Sequence, residues 1–298
     1  MDHYIDLHMH SLYSNDGNFS PEELVEKCHA AGIRIMAIAD HNSAKACAAG
    51  AAAAEKLGMT CVPAIEIDCT HRPSGTNLHV LGYGIDAADP GFLKLEEELA
   101  EQERASSRPR LDILEGMGLV IDEEKAYALA HYGYVTGEVI CEVALADPRN
   151  DGHPLLAPYR PGGARSDNPY VNFYWDVCSP GKPAWVPIEF ISLEEAVDLI
   201  VRTGGIPVLA HPGNNVKEDD AILDAVLKSG MRGIEVYSTY HSPEQVAYYR
   251  RKADEYGLLV TCGSDFHGKT KPSIFLGKMD CGGEEESIEA GLKEAGVL

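Results

Sequence analysis

A chain of 298 residues can bury a sizeable core, as one large α/β barrel or as two modest domains. Its formal charge of −22 makes the surface repel polyanions, so duplex nucleic acid is excluded as a partner, while a small or single-stranded phosphorylated ligand stays open. The eight cysteines form no C-x-x-C pair, the start MDHYIDLHMH is not a leader, and no run approaches a membrane span, which together predict a cytoplasmic protein without a membrane partner.

Tyr4 to Leu7 reads as a first strand, with His8-x-His10 at its end. Alternate residues of an extended chain point the same way, so both imidazoles can reach one ion. Ser20 to Glu23 marks a helix start, because the hydroxyl can cap a free backbone N–H. Ile33 to Ala39 is a strand followed directly by Asp40-His41, and the Ala-rich run Ala44 to Ala54 fits a helix with small residues packed on a sheet. Thr60 to Ile65 is a strand followed by Glu66, and Leu78 to Gly84 is another.

Beyond Gly84 the strand–helix alternation stops. A charged helical stretch, Lys94 to Gly116, leads into shorter helices and a Pro/Gly-rich segment, DPRNDGHPLLAPYRPGGARSDNP. Alternation resumes with a capped helix start at Ser192 to Glu195 and the strand Ile206 to Ala210, followed by His211. The strand Gly233 to Tyr237, a further cap at Ser242 to Gln245, and the strand Leu258 to Cys262, trailed by Asp265 and His267, complete the chain. Seven strands with helical crossovers predict a parallel α/β sheet. Residues 1–84 and 206–298 form the barrel, and residues 85–205 a mainly helical insertion beside its mouth.

Ligand-type residues thus track the C-terminal ends of strands, the rim where α/β barrels build active sites. A random scatter of histidines would not do so. A lone H-x-H is weak, but joined to D-H, H-P and D-x-H after other strands it points to a metal centre.

The motifs DLHMHS, ADHNS, the lone Glu66, NLHVLGYG, LAHPG and GSDFHG resemble, in order, those of the polymerase and histidinol phosphatase (PHP) family. The resemblance implies a distorted seven-stranded (β/α)7 TIM-like barrel with a site for two or three divalent cations. Residue by residue it implies one ion on His8, His10, Glu66 and Asp265, a second on Asp16, His41 and His267, and a third on Glu66, His79 and His211. Asp40 is expected to orient a ligand histidine, and His211 to serve catalysis as well as metal binding. Mixed imidazole and carboxylate donors suit Mn, with Fe or Zn as alternatives.

Two departures stand out. The family's aspartate is expected at Asn15, whereas the carboxylate here is Asp16, one position later. The Arg-x-His pair carried by many relatives in the inserted helices has no counterpart near TGEVICEVAL.

Substrate contacts are expected from Arg160, Arg165 and Lys182, in the Pro/Gly-rich part of an otherwise acidic chain. Lys269 and Lys271 follow the D-F-H motif closely enough to reach the mouth. The aromatic cluster Tyr170, Phe173, Tyr174 and Trp175 reads first as packing of the insertion, with base stacking as the alternative. His3, His29, His71, His131, His153 and His241 match no motif and read as ordinary histidines. No G-x-x-x-x-G-K-[ST] loop or G-x-S-x-G elbow is present, so neither NTP-driven nor serine-based chemistry is expected.

The expected activity is hydrolysis of a phosphomonoester by a hydroxide activated on the metal. The insertion resembles that of stand-alone PHP phosphoesterases, which implies a small nucleotide substrate: a nucleoside 3',5'-bisphosphate or the 5' end of a short oligonucleotide. Histidinol phosphate is the alternative substrate, and a non-catalytic metal-dependent phospho-ligand binding module is the alternative of a different class.

Overall fold

A computed structural model describes residues 3–130 and 132–298. Eight strands form one sheet: β1 (Ile5–Met9), β2 (Ile35–Ile38), β3 (Thr60–His71), β4 (Thr76–Tyr83), β5 (Ile191–Ser192), β6 (Ile206–Leu209), β7 (Gly233–Ser238) and β8 (Leu259–Gly263). Their order is β1-β2-β3-β4-β6-β7-β8, with the two-residue β5 flanking β3. The sheet nearly closes into a seven-stranded barrel. Just past β8, the Asp265 N–H donates to the His8 carbonyl (2.8 Å) and the His10 N–H to the Phe266 carbonyl (2.9 Å), drawing the last strand against the first.

One strand departs from the all-parallel expectation. β4 runs antiparallel to both β3 and β6. Only four residues, Arg72 to Gly75, separate β3 from β4, far too few for a helical crossover, and Gly75 takes the left-handed conformation (φ +70°) that closes the turn. β3 also extends to His71 rather than stopping at Ile65, so Glu66 lies inside a strand that overshoots the rim.

β2 is buried on both faces, as a barrel strand covered by helices should be. The helices Pro21–Ala30, Leu193–Arg202 and Pro243–Tyr256 begin with the expected Ser20/Glu23, Ser192/Glu195 and Ser242/Gln245 capping boxes. In the helix Ala46–Lys56, the buried residues Ala46, Gly50 and Ala54 recur every four positions, a small-residue stripe that lets the helix approach the sheet.

The insertion has a core of its own, from Leu111 and Leu114 through Ile140, Leu156 and Phe173 to Ala184. Its long helix, Pro90–Gly116, joins two cores, burying Phe92, Leu95 and Leu99 against the barrel and Leu111 and Leu114 in the insertion. Leu193, Ala196 and Ile200 pack into the barrel core, and β5 pairs with β3, so the separately packed unit is narrower than residues 85–205. No helix among the described residues is long and apolar enough to cross a membrane.

Candidate metal centre

Four strand ends and two strand interiors deliver side chains to one point. His8 lies in β1 and His10 one residue past it; His41 follows β2, His211 follows β6, and Asp265 and His267 follow β8. Glu66 projects from within β3 and His79 from within β4. Asn42, His211 and Asp265 hold positive φ values (56°, 22° and 57°), rare for residues other than glycine and typical of functional sites fixed by their surroundings. A Cβ on Gly263 would fall 2.1 Å from the Cβ of His8, so only glycine lets β8 close on His8 of β1.

Three groups of donors each converge within 4.8 Å: His8, His10, Glu66 and Asp265; His10, Asp16, His41 and His267; and His41, Glu66 and His79. His211 joins through Nε2, 3.0 Å from Glu66 Oε1. All nine residues in the implied ligand sets thus come together, including Asp16, whose carboxylate reaches to 3.2 Å from His267 Nε2.

The hydrogen bonds set which atom of each ring is free. His8 Nδ1 lies 3.0 Å from Glu235 Oε1, and His267 Nδ1 lies 2.8 Å from the Asp265 carbonyl. Neither oxygen can donate, so each Nδ1 carries the proton and each Nε2 presents a lone pair inward. His10 Nδ1 meets Ser14 Oγ at 2.8 Å, and Ser14 in turn donates to Asp40 Oδ1 at 3.1 Å. Asp40 therefore acts at one remove: wholly buried, it accepts from the amide and hydroxyl of Ser11 and from Ser14, and it positions His10 instead of touching a reacting atom.

What remains unsatisfied is concentrated where the three donor groups meet. His8 Nε2, His10 Nε2, His267 Nε2 and His41 Nδ1 are buried without a hydrogen bond. So are Glu66 Oε2, Asp16 Oδ1, Asp68 Oδ1 and Asp265 Oδ1. Each such atom costs about 1–3 kcal/mol if left unpaired. Divalent cations would satisfy them together, and the mixed nitrogen and oxygen donors fit such ions. The electrostatics agree. Burial opposes charge on His8, yet Glu66, Glu235 and Asp265 push its pKa well above the usual imidazole value. Burial likewise opposes charge on Glu66, but His8, His79 and His41 hold its pKa well below the usual carboxylate range. Carboxylates and imidazoles thus stabilise each other's charged forms, and a bound dication would take the place of the proton on a ring such as His8.

The centre forms the floor of a cleft of about 830 Å³ between barrel and insertion. Tyr132, Tyr134, Tyr174 and Trp175 line its wall, together with Lys182, Lys217 and the carboxylates Glu96, Glu103 and Glu138. Burial, aided by the charge of Asp16, pushes the pKa of Glu138 up to about 7.

Two expected substrate contacts do not reach this cleft. Arg160 donates to the carbonyls of Leu145 and Asn150, and Arg165 pairs with Asp176, so both guanidiniums brace the insertion. Lys269 pairs with Glu142, whereas Lys271 is buried with Nζ 2.5 Å from Asp265 Oδ2. Of the aromatic cluster, Phe173 packs in the insertion core while Tyr174 and Trp175 face the cleft. His241 tethers the backbone, its Nδ1 donating to the Val236 carbonyl and its Nε2 accepting from the Gly213 N–H. His131 lies outside the described residues.

Sequence reasoning missed Glu235, which besides holding His8 accepts the His211 N–H at 2.8 Å. Its signal was a lone carboxylate in the strand GIEVYS, all of whose residues are buried. It also missed Arg110, a cleft-lining guanidinium from the long helix that is bound to the Val135 carbonyl and to Glu103.

Comparison with known proteins agrees with this geometry. The PHP domain model matches residues 6–137. The chain is 29% identical to a phosphoribosyl 1,2-cyclic phosphate 1,2-diphosphodiesterase of Eggerthella lenta, over 89% of this chain and 94% of that protein. It is 30% identical to a 3',5'-nucleoside bisphosphate phosphatase of Chromobacterium violaceum, over 88% of this chain and 87% of that one. A solved amidohydrolase structure from Chromobacterium violaceum with bound sulfate superposes with a TM-score of 0.77 at 27% identity, covering 96% of each chain. Fold and rim define the class, the metal-dependent phosphoric ester hydrolases. Within that class, the chain belongs to the PHP family.

Proposed function

We propose that the protein hydrolyses a phosphomonoester carried by a small nucleotide, either a nucleoside 3',5'-bisphosphate or the 5' end of a short oligonucleotide. The observation that carries this reading is the convergence of buried, unpaired ring nitrogens and carboxylate oxygens at the floor of a nucleotide-sized cleft. His8, His10, Glu66 and Asp265 would hold one cation, Asp16, His41 and His267 a second, and Glu66, His79 and His211 a third. Manganese suits these donors, with iron or zinc as alternatives. Such cations lower the pKa of a bound water toward neutrality and neutralise charge on the phosphoryl oxygens.

The chain's own residues set the geometry. Glu235 fixes both the His8 ring and the His211 backbone, so two ligands from different strands move as one. His211, with Nδ1 held by Asn215 at 3.1 Å, turns Nε2 toward Glu66 and lines the cleft. Tyr174 and Trp175 offer faces on which a base can stack, and Lys182 offers charge to a second phosphate. The eight free cysteines, seven of them buried, support a reducing, cytoplasmic setting.

Histidinol phosphate is favoured as a second reading by one feature: Glu138 faces the cleft from the insertion and would suit a substrate amine, whereas Glu96 and Glu103 there are already paired with Lys45 and Arg110. The deciding assay measures phosphate release from adenosine 3',5'-bisphosphate and from histidinol phosphate, using Mn-loaded protein and His8→Ala as the control. Release from the bisphosphate alone, lost in the variant, is expected. Release from histidinol phosphate alone would replace the nucleotide reading.

A further inference from the structure

We propose that Asp68 is a ligand of the metal centre, joining Glu66 and His79 at the third cation, with the His41 ring of the neighbouring set beside it. The inference rests on the metal reading above and extends the set of protein ligands it assigns.

The strand geometry puts Asp68 where such a ligand must be. Glu66 and Asp68 are alternate residues of β3, so their side chains leave the same face. In the antiparallel ladder with β4, Asp68 sits directly opposite His79, an arrangement that brings paired side chains together. Its Oδ1 lies 3.2 Å from His79 Nε2 and 3.5 Å from His41 Nδ1.

The two oxygens of Asp68 are treated differently. Oδ2 accepts a hydrogen bond from the Asn42 side-chain amide at 2.7 Å, and Asn42 Oδ1 in return accepts the Asp68 N–H at 2.9 Å. Asn42 is itself fixed, its N–H donated to the Glu66 carbonyl at 2.7 Å while it holds a left-handed conformation. Oδ1, by contrast, is buried and makes no hydrogen bond. Asp265 has the same division: Lys271 and Tyr240 hold Oδ2, and Oδ1 faces the histidines unpaired. A carboxylate with one oxygen clamped by the protein and the other presented bare to imidazoles is built as a metal ligand.

The plainer alternative makes Asp68 an orienting partner that accepts a proton from the His79 ring. Oδ1 does lie 3.2 Å from His79 Nε2, but not in a hydrogen-bonding orientation, which favours the ligand role over a proton-accepting one. Asp68, within 3.5 Å of His41 Nδ1 and 3.2 Å of His79 Nε2, would bring a second carboxylate beside the group of His41, Glu66 and His79. The extra negative charge should strengthen binding of a dication there.

The test is the metal content of the full chain, independent of turnover. Stripped protein is reloaded with Mn(II), and the number and affinities of bound ions are followed by equilibrium dialysis and electron paramagnetic resonance. Asp68→Asn should bind one ion fewer than the parent, with the remaining affinities unchanged. Asn42→Ala, which removes only the clamp, should weaken that same ion by roughly 10- to 100-fold. Unchanged stoichiometry and affinities in Asp68→Asn, or loss of all its ions together, would overturn the assignment. Should Asp68→Asn fail to fold by circular dichroism, unchanged affinities in Asn42→Ala would overturn it equally. A parent protein that takes up no Mn, Fe or Zn would sink the metal reading itself, a failure visible before any variant is compared.

Discussion

The barrel rim and the insertion face each other across one cleft, and they treat polar groups in opposite ways. On the rim, imidazoles and carboxylates are held by one atom and left unpaired at the other, aimed at a common point. In the insertion, charge is neutralised locally: Arg165 by Asp176, Arg110 by Glu103 and the Val135 carbonyl, Arg160 by backbone carbonyls. Residue type alone therefore does not identify a ligand contact, because a guanidinium already engaged by its own domain has little left to offer a phosphate. The informative quantity is the donor or acceptor capacity that folding leaves unspent.

Substitutions on the two sides should separate them sharply. Asp265→Asn removes a rim carboxylate whose free oxygen meets His8 and His10, and it should lower Mn-dependent turnover by at least about a hundredfold, beyond the usual cost of disturbing a ligand's support. Steady-state kinetics beside metal analysis would check this. Glu235→Gln leaves every proposed ligand in place but weakens the hold on His8 Nδ1. Metal affinity should fall by about 10- to 100-fold, and added Mn should restore part of the turnover. Lys182→Ala should raise KM for a bisphosphate several-fold with kcat little changed, as expected for the loss of about 1 kcal/mol of exposed charge pairing. Arg165→Ala is the smallest: its partly exposed pair with Asp176 should contribute at most about 1 kcal/mol to stability by thermal unfolding, and KM should not move. A large KM effect from Arg165→Ala would erase the contrast between rim and insertion.

The rim was legible in the sequence for a geometric reason. Most of its residues follow the ends of apolar strands, where Asp40-His41, His211 and Asp265-x-His267 punctuate an otherwise hydrophobic pattern. Even the one-residue offset from Asn15 to Asp16 was absorbed by the loop, since Asp16 reaches His267. The failures have equally physical causes. Ending β3 at Ile65 hid both the hairpin and the pairing of Asp68 with His79, because periodicity alone does not say whether a short Pro/Gly link closes a turn or leads into a crossover. The insertion's arginines misled because positive charge in an acidic loop signals either a ligand or a brace, and only the positions of Asp176 and of the carbonyls of Leu145 and Asn150 decide between them. Glu235 and Asp68 escaped notice because they sit inside strands, away from the motif positions.

The most direct test of the central claim is phosphate release from adenosine 3',5'-bisphosphate by one preparation of the protein, measured before metal stripping, after stripping and after reloading with Mn, with bound metal counted each time. The expected result is turnover that disappears with the metal and returns with it in proportion to occupancy. Metal uptake with no turnover on any phosphomonoester tried would favour a binding module over an enzyme, and phosphate release undiminished by complete stripping would contradict the metal-dependent mechanism outright.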